Sequence, residues 1–100
     1  MNTSIIISKS FRVIKYLNKS IKDLYDRYYR QKDIYYSNLN YYKKFGGLYP
    51  TNTFRDTLRE IDDLKEIKKY VLENIDEIKF TKKYTFEFKE YIESLLYLMI

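Results

Sequence analysis

The sequence contains no histidine, no cysteine and no tryptophan, and it has only one proline and two glycines. Without imidazole or thiol groups, the chain cannot build a Ser-His triad, a cysteine nucleophile or an imidazole general base. The lack of cysteine also excludes disulfides, cysteine-ligated zinc and iron–sulfur clusters. These absences remove most common catalytic chemistry, so the sequence predicts a protein that is not an enzyme and that needs no cofactor.

Carboxylates are the remaining route to catalysis, through a bound metal ion. Asp62, Asp63 and Glu66 form the densest acidic group, and on a helix Asp62 and Glu66 would share one face. A Mg²⁺ site usually needs further ligands from other elements or from a substrate phosphate. Because Lys65 and Lys69 lie nearby, we predict a solvated helix face here and no metal site.

Long hydrophobic runs are also missing. The longest run, residues 95–100, is far shorter than a membrane span. The apolar stretch at residues 5–7 is too short for a signal peptide, and Lys9 follows it rather than preceding it. The sequence therefore predicts no membrane segment and a cytoplasmic location.

Tyrosine and positive charge dominate the first half of the chain. Nine of the thirteen tyrosines fall between residues 16 and 49. Residues 1–50 carry ten Lys and Arg against three Asp, a net charge of +7, whereas residues 51–100 carry nine against eleven Asp and Glu, a net of −2. A buried tyrosine hydroxyl needs a hydrogen-bond partner, so we expect part of this set at the surface. A basic half suits contact with a polyanion or an acidic protein surface, although it also serves solubility alone.

Apolar and aromatic residues at alternating steps of three and four predict one long helix over residues 9–45. This heptad seam contains Ile14, Leu17, Ile21, Leu24, Tyr28, Gln31, Tyr35, Asn38, Tyr42 and Phe45. Gly46 and Gly47 supply the helix stop, and Pro50 follows. About 35 helical residues span roughly 52 Å, whereas a compact domain of this size is about 34 Å across. The helix must therefore kink, extend past the rest of its domain or pair with something outside the chain.

A second apolar stripe predicts one helix that begins near Thr53, with Thr51 and Asn52 as further capping candidates. The stripe consists of Phe54, Leu58, Ile61, Leu64, Ile67, Val71, Ile75 and Ile78. Its central members should form the core against the first helix. The residues expected to be buried are Leu58, Ile61, Leu64, Val71 and Ile75, packed against Ile14, Leu17, Ile21 and Leu24.

The last segment fits two patterns. Alternating apolar residues over 79–88 are typical of a strand, which would pair with residues 4–8 and give an α+β fold. The other interpretation is a short extended link and then a helix from about Thr85 to Leu98, with Thr85 as its cap. We favour this second pattern. The predicted fold is all-α, a single helical domain over residues 1–100 in which a long N-terminal helix packs with two further helices in an antiparallel bundle.

The basic and aromatic residues of the first helix are the strongest candidates for a binding site. Cations contact phosphates, exposed tyrosines can stack on unpaired bases, and Tyr and Arg are favoured at protein interfaces. Tyr28, Tyr35 and Tyr42 are expected in the seam instead, and three aspartates interrupt the basic face. The predicted partner-binding residues are Lys15, Lys19, Lys22, Tyr25, Arg27, Tyr29, Arg30 and Tyr36.

The sequence thus predicts a small basic binding protein that docks on a ribonucleoprotein or other nucleic-acid–protein machine. Its direct contact would be protein, RNA or single-stranded nucleic acid. The bias toward Ile, Lys, Asn and Tyr is typical of an AT-rich genome, and with the small size it suits a phage or mobile-element regulator, including an inhibitor of a host defence nuclease. The alternative is a structural subunit of a permanent multi-protein assembly held through its long first helix. A homodimer through that helix is a further hypothesis.

Overall fold

The computed structural model describes residues 2–99, which form three helices. Helix α1 runs over Thr3–Phe45, α2 over Phe54–Thr81 and α3 over Phe86–Met99, with 43, 28 and 14 residues. No strand occurs within this range. The predicted all-α bundle is confirmed, and the α+β alternative with strands at 4–8 and 79–88 is wrong.

Helix α1 begins six residues earlier than the sequence predicts. The Asn2 side chain accepts a hydrogen bond from the Ser4 backbone N–H at 3.0 Å and caps the first turn. The isoleucines at 5–7 favour a strand locally. However, Ile6 is buried in a core that includes Ile78 and Phe88, and this packing outweighs the local preference.

Helix α2 runs back along α1, as the heptad seam predicts. The Gly46 N–H donates to the Tyr42 carbonyl at 2.8 Å, and the positive φ of Gly46, 74°, ends α1 there. Across the pair, the Thr57 hydroxyl donates to the Gln31 side chain at 2.6 Å. Nearer the middle, Arg27 forms an ion pair with Glu60 at 2.9 Å. The order of these contacts makes the two helices antiparallel.

Helix α3 packs beside the first half of α1. The Thr85 hydroxyl accepts a hydrogen bond from the Phe88 N–H at 3.1 Å, so the predicted cap is confirmed. Lys9 reaches Glu93 of α3 at 3.3 Å. Three helices therefore meet at this end of the molecule, whereas only α1 and α2 form the other end.

The aliphatic core lies where the three helices meet. It consists of Ile6, Val13, Ile14, Leu17, Val71, Ile75, Ile78, Phe88, Ile92 and Leu96. Farther along, Ile21 and Ile61 are buried between α1 and α2, but Leu24 and Leu64 are only half-buried. The predicted burial of Leu58 is wrong, since 37% of this residue is exposed. No third helix covers the pair at its level.

Helix α1 is continuous and extends past the rest of the fold. Its 43 residues span about 64 Å at 1.5 Å each, close to the molecule's longest extent of 67 Å. The radius of gyration is 19.4 Å, against about 13 Å for a compact chain of this length. Phe54, the first residue of α2, contacts Tyr35 and Tyr36. Residues 37–45 therefore lie beyond the start of α2, accompanied only by the loop.

Candidate partner-binding site

The α1–α2 pair has two long sides, and α3 covers one of them. Lys9 contacts Glu93 of α3, and Arg27 lies five full turns later on that same side of α1. Tyr25 precedes Arg27 by two residues, about 200° around the helix, and it contacts Lys65 of α2. Tyr25 and Lys65 therefore lie on the side opposite α3, which we call the open face.

Two contacts between a cation and a ring join the helices on the open face. Lys79 Nζ lies 5.2 Å from the ring centroid of Phe11, and Lys65 Nζ lies 4.9 Å from that of Tyr25. Lys65 also donates a hydrogen bond to the Tyr25 hydroxyl, which raises the pKa of Lys65 and keeps its ammonium group charged. In each helix the two members stand fourteen residues apart, about four turns, so the same arrangement repeats along the antiparallel pair.

Partly exposed apolar and aromatic side chains lie between these contacts and beyond the one at Lys65. On α2, Leu58, Lys65, Leu72 and Lys79 follow one another at seven-residue steps, so they share one side of the helix. Both leucines are 37% exposed. On α1, Tyr29 lies five turns after Phe11 and is 57% exposed. The open face therefore alternates ammonium groups with apolar surface.

Several cations on the open face and on the outward side of α1 keep their charge free for an external group. Residues 2–99 contain three ion pairs, and none involves Lys15, Lys19, Lys22 or Arg30. Lys32 lies 5.8 Å from the ring centroid of Tyr28, a contact that leaves the positive charge uncompensated. Aspartates border the open face, and the carboxylate of Asp62 attracts the Lys65 ammonium group and contributes to its raised pKa. The face is thus basic overall but not purely so.

The eight predicted binding residues occupy three places. Five lie on or beside the open face, namely Lys15, Lys22, Tyr25, Tyr29 and Tyr36. Lys19 and Arg30 are exposed on the outward side of α1. Arg27 lies on the α3 side, where it pairs with Glu60. The roles of all eight residues in binding remain predictions.

Part of the tyrosine set stabilises the fold near the loop. The rings of Tyr28 and Tyr35 meet Phe54 edge-on, with centroids 5.8 and 5.4 Å away, and the Tyr36 ring stacks on Phe54 at 6.2 Å. The Tyr49 hydroxyl hydrogen-bonds to Tyr35 and raises the pKa of Tyr35. Tyr28 and Tyr35 are half-buried, as their seam positions predict. Tyr36 both packs on the fold and keeps 47% of its surface exposed.

Sequence reasoning missed the contribution of α2 to this face. The second half of the chain has a net negative charge, so its total charge gives no sign that lysines line one edge of the apolar stripe of α2. The seven-residue repeat of leucine and lysine from Leu58 to Lys79 is the signal that could have revealed them. Phe11 of α1 was missed as well, because it precedes the tyrosine-rich stretch from which the candidates were drawn.

Other chemistry finds little support in the described part of the chain. Within residues 2–99 no group of three or more acidic side chains is placed to hold a metal ion, and Asp62, Asp63 and Glu66 are exposed on α2. None of the three helices combines the length and the apolar character that crossing a membrane requires, as far as residues 2–99 show. Comparisons of the chain with protein-family models, with curated proteins and with solved structures find no match.

Proposed function

We propose that the protein is a non-enzymatic binding protein that docks on a nucleic-acid–protein assembly through the open face of the α1–α2 pair. The observation that carries this proposal is the alternation of lysine ammonium groups with partly exposed rings and leucines along that face. Both helices contribute to it, so the surface is wider than one helix.

The lysines of the open face suit an anionic partner. Lys15 and Lys22 have no carboxylate within ion-pair distance among residues 2–99, so a phosphate would not have to displace an internal partner. Each phosphate that a lysine neutralises releases condensed counterions and adds affinity that falls as salt rises. This term gives binding without sequence preference and a strong dependence on ionic strength.

The apolar part of the face suits a protein surface or unpaired bases. Exposed rings such as Tyr29 can stack on bases, a contact worth about 1–3 kcal/mol per base. Leu58 and Leu72 have no use at a phosphate backbone, whereas they suit the apolar centre of a protein interface. A target that contains both nucleic acid and protein uses the whole face. A small protein of this kind suits a phage or mobile-element regulator, including an inhibitor of a host defence nuclease.

The proposal is tested by reversing charge on the open face. We expect Lys22→Glu with Lys65→Glu to weaken capture of the partner from cells at least tenfold, while the far-UV circular dichroism spectrum stays unchanged. The control variant is Arg55→Glu with Arg59→Glu, which alters the net charge equally. Both arginines are exposed on another side of α2, so this control should bind like the parent protein.

Salt and nuclease treatment separate this function from the rival one. Affinity for a labelled single-stranded RNA should fall steeply with salt, and the Lys22 and Lys65 variant should flatten the logarithmic slope by roughly 0.7 for each lost contact. Capture of the assembly should decrease after nuclease treatment. If capture does not change with salt, with nuclease treatment or with the charge reversal, the result would instead favour a structural subunit held through α1.

A further inference from the structure

The first 22 residues of the chain carry positive charge alone. They contain five Lys and Arg and no Asp or Glu, and the first carboxylate side chain of the sequence is that of Asp23. Among residues 2–99, Lys9 forms an ion pair with Glu93 of α3. The other four cations form no ion pair in that range, and they are Arg12, Lys15, Lys19 and Lys22.

Three of these cations share the outward side of α1. Arg12, Lys15 and Lys19 are spaced by three and four residues, so they fall within an arc of about 60° around the helix. Leu17 is fully buried between the helices and lies about 160° around the helix from Lys19. The three cations therefore point away from the core and from α2. We call Arg12, Lys15 and Lys19 the outward triad.

The outward triad lines a cleft together with Tyr16. The cleft has a volume of about 280 Å³, which is ample for a phosphate group, and its lining among the described residues holds no carboxylate. Tyr16 is half-buried and packs against the core, so its ring forms a fixed wall. The rest of the lining consists of long side chains that end in ammonium or guanidinium donors. This set of donors suits an anion with several acceptor oxygens.

Carboxylates approach the triad only near its ends. Asp23 and Asp26 follow Lys19 by four and seven residues and lie within about 40° of it around the helix. Arg12 and Lys15 precede both aspartates by at least eight residues, which is about 12 Å along the helix. On the α3 side, the nearest carboxylate is already paired with the lysine at position 9. Like charges three residues apart repel along a helix, and an anion in the cleft would offset this repulsion.

The surface around the triad suits a phosphate backbone better than unpaired bases or a protein. Between Arg12 and Lys22, α1 exposes no aromatic ring and no large aliphatic side chain. Bases cannot stack there, and a protein interface would lack its usual apolar and aromatic centre. A duplex keeps its bases stacked inside and presents its phosphates outside, so contacts from cations alone suffice to hold it.

We propose that the outward triad binds the phosphate backbone of duplex nucleic acid, without sequence preference. This inference rests on the proposed function, because it identifies the nucleic-acid component of that assembly as a duplex and places it on the outward side of α1. Lys15 borders both surfaces, whereas Lys65 and the leucines of the open face lie outside the triad. A duplex on the triad therefore leaves the apolar part of the open face accessible to the protein component.

Fluorescence anisotropy of short labelled duplexes at several salt concentrations tests the proposal on the purified protein. One probe is DNA and the other is RNA, and binding of either through the triad supports the proposal. For DNA, three contacts predict a logarithmic salt slope of about −2.7, at roughly 0.9 per contact. Arg12→Glu with Lys19→Glu should weaken binding at least tenfold and reduce the slope to about −0.9. The control, Arg55→Glu with Arg59→Glu, changes the net charge equally and should keep the parent's slope.

Three results would overturn the proposal, each with folding of the variants checked by circular dichroism. The first is a protein that binds neither duplex. The second is an equal loss of affinity in the triad variant and in the control, which would show a diffuse effect of charge and no site. The third is a loss in the open-face variant of Lys22 and Lys65 without a loss in the triad variant. That result would leave the proposed function standing, whereas capture from cells that the open-face variant does not weaken would contradict the proposed function alone.

Discussion

Truncation of Leu17 compared with truncation of Leu58 gives the most direct check on where the core lies. Leu17 is fully buried among the three helices, whereas Leu58 is 37% exposed where α1 and α2 alone are in contact. Leu→Ala removes three carbons, worth about 2.4 kcal/mol at roughly 0.8 kcal/mol each. At Leu17 the surrounding helices cannot close the space, so a cavity term raises the loss to about 3–4 kcal/mol.

At Leu58 the same truncation should cost much less. Water already reaches the side chain, no enclosed cavity forms, and alanine is a slightly better helix former than leucine. We expect a loss of about 1 kcal/mol. Urea unfolding followed by far-UV circular dichroism measures both losses from the midpoint and slope. Equal losses, or a larger loss for Leu58→Ala, would refute the placement of the core at the three-helix end.

Two further predictions concern polar contacts. Thr57→Val leaves the Gln31 side chain without its 2.6 Å hydrogen-bond partner and should lower the free energy of unfolding by about 1–2 kcal/mol. Adding Gln31→Leu to this variant should restore most of the lost stability. Strictly additive effects of the two substitutions in this double-mutant cycle would contradict the coupling. The pKa is raised for Tyr35 by the Tyr49 hydroxyl, for Lys65 by the Tyr25 hydroxyl, and for Tyr91 by burial. The folded state therefore holds more protons than the unfolded state above about pH 10, and stability should decrease as the pH rises through that range; urea midpoints that rise there instead would show the shifts to have the wrong sign.

Much of the fold was predictable because its signals are local and repeated. The stop at Gly46, the cap at Thr85 and the uninterrupted stripe of α2 each follow from residue type and spacing. The start of α1 was not predictable in this way. The isoleucines before Lys9 favour a strand in isolation, and the burial of Ile6 in the core with Phe88 of α3 is a contact between distant segments that spacing along the chain does not show.

The candidate site shows a different limit. Heptad spacing separated seam tyrosines such as Tyr35 from the exposed Tyr29, and that separation survives in the structure. Spacing along one helix could not reveal which side of α1 would be covered by α3, so it could not separate Arg27 from Tyr25. Nor could it place Lys65 and Lys79 beside the α1 rings, because that juxtaposition depends on the register between two distant segments.

The uneven length of the three helices has a consequence for how the protein unfolds. The aliphatic core of this elongated molecule lies at one end, and the far turns of α1 contribute little to it. We therefore expect those turns to unfold locally, without unfolding of the whole molecule. Amide protons of residues 37–45 should therefore exchange by local fraying, whereas those around Val13 and Val71, both fully buried, should exchange only when the whole molecule opens. Any partner that holds the far end would order the least stable part of the chain. The free-energy cost of that ordering would offset part of the interaction energy, so the measured affinity would be lower than the contacts alone imply.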